Sequence, residues 1–137
     1  MKNNTVLTNG CFDILHVGHI QLFKYCKSLA EELIVLVNSD ESVKSLGKGV
    51  NRPINTQSER YELLTSIKYI DKVIIFEETT PCELVAKIKP NFYVKGGDYI
   101  IENLPESKVV KKYGGQIRIF KHTGHSTTNL IRKINDN

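Results

Sequence analysis

The chain has 137 residues, 40% of them hydrophobic and 25% charged, with a formal net charge of +4. That length suits one domain, large enough to bury a core without disulfides or a structural metal, and the composition excludes a disordered chain. No apolar run approaches the ~18 residues of a membrane span. The start, Met1-Lys2-Asn3-Asn4, has no signal-peptide block, so a cytoplasmic location is expected, with no membrane partner. Cys11, Cys26 and Cys82 lie far apart with no C-x-x-C pair, which argues against a disulfide framework and a cysteine zinc site. The charge fits a site for anionic small molecules and is too weak for a nucleic-acid surface.

In chain order, Thr5-Val6-Leu7-Thr8 reads as a first strand. Leu22, Phe23, Cys26, Leu29 and Ala30 then recur at helical spacing and give one apolar stripe. Leu33-Ile34-Val35-Leu36-Val37 is a continuous aliphatic run, as in a strand buried on both faces. Ser58 is a candidate N-cap for a helix carrying Tyr61, Leu64 and Ile67. Lys72-Val73-Ile74-Ile75-Phe76 is a third strand of the buried kind. Thr80-Pro81 reads as an N-cap followed by proline at the first helical position, opening a helix from Cys82 to Ile88 that Lys89-Pro90 ends. Asn91-Phe92-Tyr93-Val94 is a fourth strand. Gln116-Ile117-Arg118-Ile119-Phe120 alternates and suits a sheet edge. A last helix starts near Ser126 and runs through Leu130, Ile131 and Ile134.

Strands alternating with helices predict an α/β fold, a Rossmann-like doubly wound five-stranded parallel sheet forming a single domain over residues 1–137. Ligands of such sheets sit beyond the carboxyl ends of the strands. The segments there are Asn9 to His19, Asn38 to Pro53, Glu77 to Thr80, Lys95 to Tyr99 and Lys121 to Thr128. The first and last hold all four histidines, His16, His19, His122 and His125.

In the first segment, Gly10 permits a tight turn and close approach of a ligand to the backbone. Gly18 stands where a helix should begin, and a helix start attracts phosphate through unpaired N–H groups and its dipole. His16 and His19 flank it and can stabilise charge as a P–O bond breaks. Capping histidines and a zinc pair are the competing readings. The zinc pair lacks a third ligand other than Cys11, and no metal site is expected. Ser126, Thr127 and Thr128 offer hydroxyls and N–H groups at the last helix start, a second phosphate cradle that alone would read as capping. In Lys95-Gly96-Gly97-Asp98-Tyr99, the glycines admit a flat base and the carboxylate can accept from a ribose hydroxyl. Lys44 and Arg60 can hold phosphate oxygens, whereas Lys48 reads as a solvated lysine. Gly47 to Asn55 is expected to close over a ligand.

Together, Asn9-Gly10-Cys11-Phe12-Asp13-Ile14-Leu15-His16-Val17-Gly18-His19 and Ser126-Thr127-Thr128 resemble the two signatures of the cytidylyltransferase-like nucleotidyltransferases, an H-x-G-H after a G-x-F-D turn and an S-T-T opening the last helix. The resemblance extends over residues 4–135. Within the family, Val37-Asn38-Ser39-Asp40, Asn51-Arg52-Pro53-Ile54-Asn55, Phe76 to Pro81, Val94 to Tyr99 and Ser126 to Ile131 are similar to the D-glycero-β-D-manno-heptose 1-phosphate adenylyltransferases. The glycerol-3-phosphate cytidylyltransferase branch carries Arg-Thr-Glu-Gly before S-T-T, where this chain has Lys121-His122-Thr123-Gly124; His125 has no counterpart.

The resemblance implies transfer of AMP from ATP to a sugar phosphate, with CTP and a small phosphorylated alcohol as the alternative pair. It implies His16, His19 and Lys44 as catalytic. It implies a nucleotide held by Gly10, Cys11, Phe12, His16, Gly18, His19, Lys95, Gly97, Asp98, Ser126, Thr127 and Thr128, and an acceptor held by Asp13, Lys44 and Arg60. Mg²⁺ would enter with the triphosphate, ligated mostly by water and nucleotide oxygens. A homodimer is the family's common assembly.

Overall fold

A computed structural model describes residues 4–121 and 126–136. His122, Thr123, Gly124 and His125 lie outside the described residues, as do Met1, Lys2 and Asn3. Among those described, the strands are β1 (Thr5–Gly10), β2 (Glu32–Asn38), β3 (Lys72–Phe76), β4 (Phe92–Gly96) and β5 (Gln116–Phe120). The helices are α1 (Val17–Leu29), α2 (Asp40–Ser45), α3 (Gln57–Thr65), α4 (Cys82–Ile88), α5 (Pro105–Tyr113) and α6 (Thr127–Asn135).

The strands pair in parallel in the order β3-β2-β1-β4-β5. This is the Rossmann-like α/β sheet that the alternating pattern predicts. Strand periodicity sorts the aliphatic runs onto two faces. Val6, Leu33, Val35, Val37 and Val94 meet Leu22, Phe23 and Cys26 of α1 and Leu64 of α3. Leu7, Ile34, Leu36 and Tyr93 meet Val85 of α4 and Val110 of α5 on the other. Burial pushes the Cys26 thiol up to about 12, consistent with an inert core position. No described helix is long and apolar enough to cross a membrane.

Several local readings shift. β3 is an edge strand with only Val73 and Phe76 buried, because no strand of the described residues pairs beyond it. β5 holds the opposite edge, as its alternation predicts. Thr56, not Ser58, caps α3, and Glu59 reciprocates by accepting from the Thr56 N–H at 2.9 Å. Pro81 occupies the cap position of α4, and Thr80 does not cap it. Lys89 closes that helix in the left-handed region, φ 50°.

Two helices escaped the periodicity argument. α2 is a short helix that Ser39 starts by accepting from the Ser42 N–H. α5 carries proline at its start and Gly114 at φ 88° as its C-cap. Both termini signals of α5 were present, but its apolar stripe is narrow and its exposed side is rich in lysine. Leu7 is fully buried on the central strand. Leu7→Ala is expected to lower stability by about 2–5 kcal/mol, read as a lower urea midpoint at an unchanged m-value.

Candidate active site

The strand order reverses between β1 and β4, since the chain leaves β1 toward β2 on one side and returns to β4 on the other. Ligand crevices open at such points, outside the carboxyl ends of the strands. Here a cavity of about 640 Å³ lies there, inside the range of small-molecule sites. The turn after β1, the loops after β2 and β4, and the start of α6 form its walls.

Beyond β1 the backbone is contorted. Phe12 adopts φ 49°, and its ring folds back so that a Cβ on Gly10 would lie 3.0 Å from it. A side chain there would crowd the Phe12 ring, and Gly10 also lines the cavity, where the sequence suggested a ligand approach. Phe12 stands edge-on to His19, centroids 5.2 Å apart, and braces it from the core side.

The capping reading of the two histidines and the functional one turn out to be compatible. His16 is the N-cap of α1, and its Nδ1 accepts from the Gly18 N–H at 3.1 Å. His19 Nδ1 accepts from the His16 N–H at 3.3 Å. The rings stack at 3.8 Å, and both line the cavity. With Nδ1 accepting, the proton of a neutral imidazole sits on Nε2, so each ring is set as a donor through its outer nitrogen. Gly18 itself is buried, bonded to His16 and absent from the lining.

The other signature reaches the same wall. Ser126, Thr127 and Thr128 line the cavity, and the Thr127 hydroxyl donates to the Ile14 carbonyl at 2.8 Å, tying α6 to the turn after β1. Ser126 Oγ caps α6 by accepting from the Asn129 N–H at 3.0 Å. Lys95, Gly97 and Asp98 line the side beyond β4. Gly97 has φ 130°, and a Cβ there would lie 2.8 Å from the Tyr99 ring, so this position demands glycine.

The acceptor residues fall differently. Arg60 has 0% exposure and no path to a ligand. Its Nη1 donates to the carbonyls of Cys11 and Asn38 at 2.9 and 2.5 Å, Nη2 to Asp40 Oδ1 at 2.9 Å, and Nε to the Asn55 carbonyl at 3.1 Å. A buried, permanently charged guanidinium with four of its five N–H donors bonded to protein acceptors is a strut. Lys44 is exposed, lies 3.6 Å from Glu41 and does not line the cavity. Lys48 and Arg52 do line it, so the basic side chains at this rim are not the ones chosen from spacing.

Asp13 is buried against the rim. Its carboxylate accepts from Arg52 Nε at 2.7 Å and from the Ile54 and Asn55 N–H groups at 2.9 Å. Burial pushes the Asp13 carboxyl up, but the Asn55 and Ile54 amides and the Arg52 guanidinium outweigh it and hold it below its ordinary value. This clamp fixes residues 52–55, which narrows the expected closing segment Gly47 to Asn55 to its first half. Asn9, Asn38, Thr79 and Tyr99 also line the cavity; they lie in the segments expected beyond the strand ends but were not among the residues given a role. The polar ends of two buried strands, Asn9 and Asn38, were a usable signal.

Comparison with known proteins gives the family and the fold. A family profile described as cytidylyltransferase-like matches residues 7–133. The bifunctional protein HldE of Actinobacillus pleuropneumoniae serotype 5b is 47% identical over 130 residues, covering 94% of this chain and 27% of that protein. The HldE of Koribacter versatilis is 45% identical over 129 residues, covering 93% and 26%. The chain therefore spans about a quarter of the length of these curated relatives. Among solved structures, the lipopolysaccharide core biosynthesis protein of Thermoplasma volcanium superposes with a TM-score of 0.72 at 29% identity, covering 91% of this chain and all of that one. A NadR protein in complex with NAD and AMP-PNP shares the fold at a TM-score of 0.56 and 17% identity, covering 99% of this chain and 42% of that one.

The Asp13 clamp carries a pH signature. A carboxyl held low in the folded state stabilises it above the ordinary value of about 3.9, and that stability is lost as pH falls through the folded value. Asp13→Asn is therefore expected to be less stable than the parent at pH 7, with the gap in urea midpoint shrinking steadily below about pH 4.

Proposed function

Because the chain belongs to the cytidylyltransferase-like family, we propose that it transfers a nucleotidyl group, AMP from ATP, to D-glycero-β-D-manno-heptose 1-phosphate, giving ADP-heptose and pyrophosphate. The observation carrying this reading is the meeting, in one cavity, of the His16–His19 pair and the start of α6, with Lys48, Arg52 and Lys95 around them. Imidazole donors, a helix N-terminus and the ammonium groups of Lys48 and Lys95, beside an Arg52 already paired with Asp13, make a receptor for a polyanion. The choice of acceptor and base rests on the motifs shared with the adenylyltransferase branch and on likeness to the lipopolysaccharide core biosynthesis protein.

In this reading the substrate is the magnesium complex of the triphosphate. Among the described residues no group of three or more His, Cys, Asp or Glu is placed to hold a metal ion. In this reading the ion's ligands are mostly water and nucleotide oxygens. A phosphate oxygen of the acceptor attacks the α-phosphorus, the bond from that phosphorus to the bridging oxygen breaks, and pyrophosphate leaves with the electron pair. No protein nucleophile takes part, and the Cys11 thiol, 3.7 Å from Asn38 Oδ1, has no covalent role.

His16 and His19 supply N–H donors to the oxygens that gain charge in the transition state. Their cap bonds fix the rings before substrate arrives, so little reorganisation remains at the moment of reaction. Lys95 and Lys48 draw the triphosphate in, and the N–H groups opening α6 receive a phosphate.

The test is pyrophosphate release from a panel of ATP and CTP against heptose 1-phosphate, glycerol 3-phosphate and ethanolamine phosphate. ATP with the heptose phosphate should be the fastest pair. CTP with glycerol 3-phosphate as the fastest pair would replace the proposal, and nucleotide binding without turnover on any acceptor would reduce the chain to a binding module. His19→Ala should retain its circular dichroism spectrum and lose ~10²–10³ in kcat. Near-parental turnover would remove His19 from the mechanism.

A further inference from the structure

Glu106 lies in the first turn of α5 and is only 3% exposed. Its Oε2 is buried with no hydrogen-bond partner, alone in this among the side-chain atoms of the described residues. Within the same residues it joins no ion pair at 4.0 Å or less. A carboxylate so placed is costly unless an opposite charge offsets it.

Strand geometry points to that charge. Tyr93 and Lys95 are two residues apart on β4, so their side chains leave the same face. That face is the one α5 covers, since Tyr93 shares a core cluster with Val110. The Tyr93 hydroxyl donates to Asn9 Oδ1. Glu106 acts on the same hydroxyl, and burial with that charge pushes Tyr93 well above its ordinary value. Asn9 and Lys95 line the cavity, while Glu106 does not.

Lys95 likewise joins no ion pair at 4.0 Å or less among the described residues, and its ammonium stands 5.2 Å from the Tyr99 ring centroid. The titratable groups acting on it are Glu106 from α5, Cys11 from the turn after β1 and Lys48 from the segment after α2. Burial pushes the Lys95 ammonium down. Glu106 is the largest charge opposing that, Cys11 also opposes it, and Lys48 adds to the burial.

We propose that Glu106 is a positioning residue, the buried counter-charge that keeps Lys95 protonated at the cavity wall so that an incoming polyphosphate meets a cation. Because no direct salt bridge joins the two, the ammonium can bond phosphate oxygens while the carboxylate behind it maintains its charge. The consequence for ligand rests on the nucleotide reading above; the pairing itself does not.

The experiment uses the full chain and its Glu106→Gln variant. In the ligand-free proteins, the Lys95 ε-carbon is titrated by ¹³C NMR. The expected midpoint in Glu106→Gln is lower by about one pH unit, a tenfold change in protonation constant. An unchanged midpoint overturns the proposal, and a purely structural role for Glu106 would leave it unchanged. Calorimetry with MgATP should then show matching affinities below both measured midpoints and a deficit in the variant that opens between them, approaching tenfold above the parent's midpoint. If the parent fails to bind MgATP, the nucleotide reading falls, while the ligand-free titration still decides the pairing. If Glu106→Gln does not fold, Lys95→Met is compared with the double variant Lys95→Met/Glu106→Gln. The double variant should unfold at the higher urea concentration, because its orphaned carboxylate is gone, and an equal or lower midpoint overturns the proposal.

Discussion

Four protein oxygens from four parts of the chain close around one buried guanidinium, and the rim of the cavity depends on that closure. Arg60 joins the Cys11 carbonyl in the turn after β1, the Asn38 carbonyl ending β2, the Asp40 carboxylate opening α2 and the Asn55 carbonyl before α3. Arginine cannot shed its proton to escape burial, so every such contact must be in place at once. The arrangement makes the loops after two neighbouring strands a single unit. Asp13 extends it by gripping Arg52 and the Ile54 and Asn55 amides.

On this frame, ordinary helix capping sets the chemistry of the histidines. A helix start leaves backbone N–H groups without intrahelical partners, and His16 supplies an acceptor for one of them. His19 returns the favour to the His16 N–H. Occupying Nδ1 in this way leaves Nε2 as the donor of each neutral ring. The local requirement of the helix and the requirement of a polyanion site are thus met by one geometry. Phe12, held against Gly10 at positive φ, supports His19 from the core.

Much of this was legible in the sequence, and the divisions have physical causes. Strand runs and the α1 stripe are short-range periodicities, so the sheet and its parallel sense follow from them. The helix α5 was not recognised despite Pro105 and Gly114, because only a narrow stripe of it is apolar. The cap of α3 moved by two residues, from Ser58 to Thr56, since two hydroxyl residues in that stretch could each fill the role.

The amino-acid order by itself determined the α/β sheet, the placing of His16, His19 and Ser126–Thr128 beyond strand ends, and the family. Only the tertiary structure decided what each cation does. Arg60 went inside and Lys44 to the surface, while Lys48 and Arg52 came to the cavity. Spacing cannot rank basic side chains, because decisive partners are distant in the chain: Asp40, Asn38 and Cys11 lie 20, 22 and 49 residues from Arg60, and Asp13 lies 39 from Arg52. Burial and charge pairing are properties of the packed whole, and the unpartnered Oε2 of the buried Glu106 is visible only there.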